Sequence, residues 1–352
     1  MADTMMLVLV GDVNLKRDLQ FNEHSLDLVD GELRRADVRM GNLEGMFYDP
    51  TLELDYKKGW FHNEPDMVNC LAGRFDAVNC ANNVHAYEGI RVSNAHLDRI
   101  GVVHAGAGRN YAEAHTPAIF EKGGTRFGLL GYTSLDGVEV ATETKPGPAR
   151  IKGYTSYEPP RSQRPGTPPI VHSWPDRDEL AAACDDIRKL RERVDVLVTY
   201  FHWGLTNVQE TCEYQPIIAR AAVDAGADIV VGSHPHTHQG IELYRDAAIF
   251  YSLGNFSFGW KLHRQATYEG TLVRVKIRDK KPAAFSVVPV RRNDRDTIEL
   301  LDPGQGTGKA IFETLARLSK PLGTELSVSG DEILVPYAGS REAAGAALAG
   351  AR

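Results

Sequence analysis

The chain has 352 residues, of which 42% are hydrophobic and 25% are charged, so its composition is that of a globular protein and excludes wholesale disorder. Its formal net charge of -7 argues against a general nucleic-acid binder, which needs a basic surface to displace counterions from phosphates. The length fits one large α/β domain with additions better than two average domains.

The amino terminus lacks the basic segment of a secretory signal, and its apolar run at 5–10 is too short to cross a membrane. No later stretch of the sequence reaches membrane-spanning length. The four cysteines form no CxxC pair, which is typical of free thiols in a reducing compartment. We therefore expect a cytoplasmic protein without a membrane anchor. The cysteines are Cys70, Cys80, Cys184 and Cys212.

Short apolar runs that end in polar or glycine-rich clusters predict strands at 7–10, 37–40, 75–78, 196–201 and 229–231. Open α/β sheets bind ligands at the carboxyl ends of their strands, because the loops that leave there converge on one edge. The sequence therefore predicts an α/β fold with a site at these strand ends.

Apolar residues at helical spacing predict a helix over 180–194, with Asp176 or Asp178 as its N-cap. A second helix is predicted over 217–225, with Gly226 directly after its end.

The segment 137–176 carries eight prolines and several glycines, which predicts a loop or lid and not a packed element. Apolar residues alternate with period two over 270–277, and 285–290 could pair with them as a hairpin.

The glycine-rich run at 304–309 resembles a phosphate-binding loop, but Pro303 stands where the first glycine belongs and Ala310 replaces Ser or Thr. We interpret this run as a linker. The chain is then one domain over 1–330, followed by a partly disordered extension over 331–352 whose end is rich in alanine and glycine.

Histidines at 234, 236 and 238 directly follow a predicted strand, and residues two apart in an extended segment point the same way. Neutral imidazole binds zinc, iron and manganese-type ions, so we expect a metal site at His234 and His236. His202 also ends a strand, where Trp203 would wall the pocket. The sequence around His238 is equally compatible with a surface residue. The sequence around His202 is equally compatible with a buried residue of the core.

Oxygen ligands are available at the other strand ends. Asp12 is a candidate carboxylate ligand, Glu44 could bridge two ions, and Asn83 could offer an amide oxygen, although Asp and paired Asn residues also form turns. Two ions about 3.5–4 Å apart would activate a bridging water and neutralise charge on the group attacked. This chemistry suits hydrolysis of a phosphoester or an amide.

The order of these motifs resembles the CapA family, named for poly-γ-glutamate capsule synthesis, within the calcineurin-like metallophosphatase superfamily. The resemblance spans about residues 6 to 326, and the HPH and YSLGNF motifs are specific as a pair. The motifs are GDV at 11–13, NLE at 42–44, ANN at 81–83, HWG at 202–204, GADIVVGSHPH at 226–236 and YSLGNF at 251–256.

This resemblance implies a four-layer α-β-β-α sandwich, metallophosphatase-like, and a site for two divalent ions (Mn, Fe or Zn) at the strand ends. The implied metal positions are Asp12, Glu44, Asn83, His202, His234 and His236. The expected substrate contacts are Asn14, Asn42, Trp203 and Asn255.

The chain departs from the family pattern at three places. Asn14 replaces the histidine that metallophosphatases usually carry in their first motif, and Thr206 stands where an acidic residue often follows HWG. Val84 occupies the place of the histidine that serves as general acid, with His85 one residue later. The leaving-group acid is then lost or supplied by His85 or His238.

Three functions follow from these residues. We favour a metal-dependent hydrolase of a phosphoester or a γ-glutamyl-type amide, acting on a small-molecule or peptide-like substrate. A cyclase, ligase or transferase of a biosynthetic pathway is the second hypothesis. The third is a non-catalytic accessory protein of a poly-γ-glutamate-type synthase, which the change at Val84 favours and the retention of all six proposed ligands disfavours.

Overall fold

Two large β-sheets form the centre of this mixed α/β fold. The computed structural model describes residues 4–17, 20–49, 62–136, 139–159, 168–258 and 268–337.

The larger sheet has ten strands in the described part of the chain, of which those on one side of the central strand are parallel to it and the long strands on the other side pair in antiparallel fashion. The strands are β1 (Thr4–Val13), β2 (Val38–Leu43), β5 (Ala77–Asn79), β6 (Val103–Ala105), β17 (Asn255–Ser257), β18 (Glu269–Arg278), β19 (Lys281–Arg292), β20 (Ile298–Leu300), β21 (Ser327–Ser329) and β22 (Glu332–Val335). Their order is β21-β22-β19-β18-β1-β2-β5-β6, with β17 paired to β1 and β20 paired to β19.

The smaller sheet has six strands and a parallel centre. They are β8 (Ala118–Lys122), β9 (Thr125–Thr133), β13 (Val196–His202), β14 (Ile229–Ser233), β15 (Ile241–Tyr244) and β16 (Ala247–Phe250). Their order is β15-β16-β14-β13-β9-β8. Every residue of β13 and β14 is buried, which explains why both read as continuous apolar runs.

Helices pack against the two sheets. They are α1 (Asp27–Arg35), α2 (Tyr87–Arg99), α3 (Tyr111–Ala114), α4 (Arg177–Arg191), α5 (Tyr214–Ala225) and α6 (Gly306–Ser319), with short 3-10 turns at Pro65–Leu71 and Lys320–Leu322.

Three apolar cores hold these layers together. The first lies between the two sheets and joins Leu9 of the larger to Val198 of the smaller. The second packs the larger sheet against α1 and α2, and the third packs the smaller sheet against α4 and α5, for example through Ile187 and Ile218. Full burial of each such side chain stabilises the fold by roughly 1.5–3 kcal/mol.

The structure confirms the five predicted strands, the two predicted helices and the hairpin of β18 with β19. Asp176 is the N-cap of α4, and its carboxylate accepts the backbone N–H groups of Asp178 and Glu179. Gly226 ends α5 with a φ of 120°, which a residue with a side chain rarely adopts.

The prediction that 137–176 is a loop without packed elements is wrong in part. The segment contains an antiparallel hairpin of β11 (Gly153–Glu158) and β12 (Ile170–Pro175), and β10 (Gly147–Pro148) pairs with β7 (Ala107–Gly108). Most of the prolines lie between the paired segments, which are rich in aromatic and β-branched residues. Residues 160–167 lie outside the described part of the chain.

Two further boundaries need correction. The glycine-rich run that we interpreted as a linker opens α6, because Gly306 already belongs to the first turn of this helix. The boundary at 330 falls inside a hairpin, since β21 pairs with β22 and β22 pairs with β19. The expected tail at 338–352 lies outside the described residues.

A small parallel pair, β3 (Met46–Phe47) with β4 (His62–Asn63), lies beyond β2. Among the residues that the structure describes, no helix combines the length and the apolar composition that crossing a membrane requires.

Candidate metal centre

The carboxyl ends of the central strands of both sheets meet at one place, and a bulge in β1 shapes it. Leu9 pairs with Met40 and Asp12 pairs with Asn42, so two residues of β1 lie opposite the single Gly41. The Tyr200 hydroxyl of the smaller sheet lies 3.2 Å from the Val10 carbonyl oxygen and 3.1 Å from that of Met40. This hydroxyl joins the two sheets directly beneath the site.

The larger sheet brings two carboxylates to the site. Asp12 is fully buried, and its Oδ1 accepts a hydrogen bond of 2.7 Å from Asn42 Nδ2. Asn42 is held in turn by Asn79, whose Nδ2 donates to its Oδ1 at 2.7 Å. Glu44 follows β2, and its Oε2 is buried without a hydrogen-bond partner.

The smaller sheet brings three imidazoles. His202 ends β13, while His234 and His236 follow β14 with φ values of 91° and 54°. A positive φ in a residue with a side chain costs of order 1–3 kcal/mol and is most often found at functional sites. The rings lie close together, at 4.9 Å between the centroids of His202 and His234 and 5.6 Å between those of His234 and His236.

Each imidazole has an outer hydrogen-bond partner on one nitrogen. His202 Nδ1 lies 2.9 Å from Ser233 Oγ, and His236 Nδ1 lies 2.9 Å from Asn255 Oδ1. His234 has its partner on Nε2, 3.3 Å from Thr206 Oγ1, while its Nδ1 is buried without one.

These side chains form two groups that could hold a metal ion. One group is Glu44, His202 and His234, the other is Asp12, Glu44 and His236, and the ligand atoms within each lie within 4.8 Å of one another. Glu44 Oε1 lies 3.7 Å from His202 Nε2 and 3.6 Å from His236 Nε2, so one carboxylate serves both groups.

The chemistry of the site fits a cation. Carboxylates and imidazoles are the ligands that zinc, iron and manganese ions take in proteins. Asn83 adds an amide oxygen, because its Oδ1 lies 2.9 Å from His202 Nε2. The two unpartnered atoms, Glu44 Oε2 and His234 Nδ1, are both acceptors in their deprotonated forms, and a cation would satisfy them.

Burial and charge oppose each other in this cluster. Burial raises the pKa of Glu44 well above its usual range and lowers the pKa values of His202 and His234 well below theirs. Burial alone would also lower the pKa of His236, but the charges of Glu44 and Asp12 prevail and raise it to about 9. Two buried carboxylates thus draw positive charge into the site, either a proton or a metal ion.

Trp203 does not line the site, contrary to the prediction that it contacts substrate. The ring is fully buried and stacks on Phe201, with 4.8 Å between centroids, and its Nε1–H donates to the Tyr251 carbonyl oxygen at 2.9 Å. Side chains alternate along a strand, so the residue after His202 points to the opposite face.

The three asparagines predicted to contact substrate have partners within the protein. Asn14 Nδ2 donates to the Glu44 carbonyl oxygen at 2.6 Å. Asn42 and Asn255 hold Asp12 and His236, as described above. Their side chains orient the metal-site residues, and substrate contact stays a prediction.

Both predicted acids are buried. His85 is fully buried, its Nδ1 lies 2.9 Å from Asn82 Oδ1, and burial lowers its pKa to about 3. Burial likewise lowers the pKa of His238 to about 4, and its backbone pairs with Leu253. Burial thus disfavours the protonated imidazolium that would donate a proton, and the acid role of either ring stays a prediction.

Sequence reasoning missed several residues that support the site. Asn79, Ser233 and Tyr200 hold the polar side chains or the strands beneath them, as described above. Ser233 and Asn79 also lie at strand ends, and this position is the signal that could have identified them. Tyr200 has the sequence context of an apolar strand residue. Nothing in that context shows that its hydroxyl contacts carbonyl oxygens at the bulge in β1.

Comparison with known proteins finds a matching family model and several relatives. The family model described as "Bacterial capsule synthesis protein PGA_cap" matches residues 6–259, which include all six predicted metal positions. The capsule biosynthesis protein CapA of Bacillus anthracis is 27% identical over 309 residues, covering 82% of this chain and 67% of that protein. The PGA biosynthesis protein CapA of Bacillus subtilis (strain 168) is 26% identical over 303 residues, covering 82% and 72%. A probable polyglutamine synthesis accessory protein of Mycobacterium tuberculosis (strain ATCC 25618 / H37Rv) is 23% identical over 309 residues, covering 85% and 77%.

Proposed function

Since the chain belongs to the bacterial capsule synthesis protein family PGA_cap, we propose that it is a metal-dependent hydrolase of that family, with two divalent ions between its sheets. The observation that carries this proposal is the position of Glu44, which belongs to both groups of candidate ligands. A carboxylate shared by two groups is what a pair of adjacent ions requires.

The layering of the fold supports a metallophosphatase-like arrangement. The three apolar cores lie outside the larger sheet, between the sheets and outside the smaller sheet. We infer from them the four-layer α-β-β-α sandwich that the motifs imply.

Some residues of the site would bind the ions, and others orient the binding side chains. Glu44, His202, His234 and Asn83 would hold one ion, and Asp12, Glu44 and His236 the other. When bound, the ions would polarise the scissile group and lower the pKa of a water ligand. Asn42 and Asn255 fix the orientation of Asp12 and His236, which keeps the ligand geometry from relaxing.

The burial of the two candidate proton donors favours a particular substrate class. Because His85 and His238 are buried and neutral at neutral pH, we infer that the leaving group departs without a proton from either ring. Phosphoesters with acidic leaving groups meet this condition better than amides, whose amine leaving group needs a proton.

A series of aryl phosphates with phenols of graded acidity tests this proposal. Protein loaded with Mn²⁺, Fe²⁺ or Zn²⁺ should hydrolyse the series with a rate that falls steeply as the leaving group becomes more basic. A γ-glutamyl anilide provides the amide comparison. Turnover no greater than that of His202→Ala on every compound would contradict the proposal.

A non-catalytic role is the second candidate. The Mycobacterium tuberculosis relative is named a probable accessory protein, and the neutral His85 is compatible with a chain that binds metal without turnover. Metal binding without activity on any phosphoester or amide would favour this role. We also infer a cytoplasmic location, which the buried free thiols of Cys70, Cys80 and Cys184 support.

A further inference from the structure

The outer partners of the three imidazoles differ in their exposure to solvent. Ser233 and Asn255, which hold His202 and His236, are buried within or directly beside the strands. Thr206, which holds His234, lies on an exposed turn after β13. One of the two candidate ion positions, that of His202 and His234, is therefore supported partly from the surface, whereas the other is supported from the interior.

The exposed turn is docked firmly enough to hold this contact. The Asn207 N–H donates to the Pro235 carbonyl oxygen at 2.7 Å, so the turn is tied to the segment between His234 and His236. Gly204 has a φ of 81° and lies against Pro235, where a Cβ would come within 3.2 Å of the proline ring. These contacts place Thr206 Oγ1 at 3.3 Å from His234 Nε2.

The contact of Thr206 with Nε2 of His234 determines the state of the other ring nitrogen, Nδ1. His234 Nδ1 is buried without a hydrogen-bond partner, and this ring belongs to the group formed with Glu44 and His202. If Nε2 carries the proton and donates to the threonine hydroxyl, Nδ1 keeps its lone pair for a cation. A neutral imidazole can bind through one nitrogen only, so the outer partner decides which one.

We propose that Thr206 is a positioning residue, whose hydroxyl holds His234 in the tautomer that presents Nδ1 to the ion shared with Glu44 and His202. This inference rests on the proposed metal site. It adds that the two ions differ, because the ion bound by His234 depends on an exposed hydroxyl and the ion bound by His236 does not. The turn at 204–207 thus becomes the place where the affinity of one ion is set.

Calorimetric titration of the metal-free protein with Mn²⁺, and separately with Zn²⁺, tests the inference. Thr206→Val keeps the shape of the side chain and removes the hydroxyl, and it should weaken one of the two binding events by about tenfold. Thr206→Ser keeps the hydroxyl and should stay within about twofold of the wild type. Thr155→Val, on the exposed face of β11, is the matched control and should change neither event.

The outcomes separate this inference from the proposal on which it rests. A wild-type protein that binds no ion would overturn the proposed function. If the wild type binds two ions and Thr206→Val binds both unchanged, or both equally weakened, the role of Thr206 is wrong. A loss in Thr206→Ser as large as in Thr206→Val would assign the effect to packing and also overturn it.

A second measurement does not depend on affinity. In metal-free protein labelled with ¹⁵N-histidine, the two ring nitrogens of a neutral imidazole have distinct chemical shifts. His234, assigned through the loss of its signal in His234→Gln, should be protonated on Nε2 in the wild type. Protonation on Nδ1 in the wild type would contradict the inference.

Discussion

The two sheets contribute chemically different halves to the candidate site. The oxygen side comes from the larger sheet and consists of Asp12, Glu44 and Asn83, while the nitrogen side comes from the smaller sheet and consists of His202, His234 and His236. Each candidate ion takes ligands from both sides, so neither sheet can hold an ion alone. The candidate site is formed by the packing between the sheets, and Glu44 is the one candidate ligand that both groups share.

The halves also differ in how their backbone is held. Asp12 lies within a strand and is fixed by the chain of amides through Asn42 and Asn79. His234 and His236 lie just beyond a strand with positive φ. The oxygen side is thus positioned by side-chain hydrogen bonds, and the nitrogen side by a strained turn that its surroundings must enforce.

Removing the shared ligand should have the largest effect. Glu44→Gln should weaken the binding of both ions by more than about 100-fold, since outer partners alone cost 10–100-fold. In the metal-free protein, glutamine removes a carboxylate whose burial is unfavourable but also a charge that raises the pKa of His236, so the change in unfolding free energy should be small. Metal titration and urea unfolding measure the two quantities.

Glu32→Gln is the control for a buried carboxylate elsewhere. Glu32 pairs with Arg274 at 2.7 Å, and Arg274 lies opposite Val8, four residues before Asp12 along β1, so this variant should lose stability and keep both ions. Retention of either ion at wild-type affinity in Glu44→Gln would break the account of a shared ligand.

The support beneath the nitrogen side is tested by Gly232→Ala. A Cβ at this position would lie 1.9 Å from the Tyr251 carbonyl oxygen and 2.5 Å from Trp203 Nε1. The backbone must move, which should cost about 3 kcal/mol or more of unfolding free energy. In contrast, Gly31→Ala in α1 meets no atom within 4 Å and should stabilise the protein by about 0.5–1 kcal/mol. Equal urea midpoints for the two variants would contradict this.

The contact of His236 with the carboxylates of Glu44 and Asp12 should make the unfolding free energy of the metal-free protein depend on pH. The pKa of His236 rises from 6.5 to about 9 beside Glu44 and Asp12, so its contribution is present below pH 6.5 and is lost as pH rises to about 9. The raised pKa of Glu44 acts in the same direction.

Unfolding of the wild type and of His236→Gln at pH 6.5 and pH 9 gives the comparison. The wild type should lose more stability over this interval, because groups other than His236 are common to both proteins. An equal loss in the variant would show that His236 is not charged in the metal-free protein.

The smallest effect is expected where the sheets are joined beneath the site. Tyr200→Phe removes the hydroxyl that contacts the carbonyl oxygens of Val10 and Met40, which should cost about 1–2 kcal/mol. Tyr48→Phe, in a buried ring of the core on the outer side of the larger sheet, is the matched control. If the two variants unfold at the same denaturant concentration, Tyr200 does not join the sheets as described.

The sequence predicted which candidate ligands come together, because parallel strands bring their carboxyl ends to one edge. Asp12, His202 and His234 all follow from this rule. The prediction for His238 came from another rule, the alternation of side chains along an extended segment, and its surface alternative is wrong because His238 is buried. The positive φ values at 234 and 236 break the extended geometry, and sequence spacing does not encode them.

Other features depended on contacts between distant parts of the chain. The outer partner of His234 is 28 residues away at Thr206, and the bulge in β1 is satisfied by Tyr200, 190 residues from Val10. The hairpin of β11 and β12 was hidden by the prolines between its strands. Trp203, in contrast, could have been placed in the core from strand alternation alone.

The central claim is that Glu44 joins two ions in one site, and the spin state of bound Mn²⁺ tests it most directly. Two Mn²⁺ ions bridged by a carboxylate at about 3.5–4 Å are magnetically coupled, and this coupling is visible in the electron paramagnetic resonance spectrum. The account predicts two ions per chain with a coupled spectrum, which Glu44→Gln abolishes. One ion per chain, or two with the spectrum of isolated Mn²⁺, would contradict it.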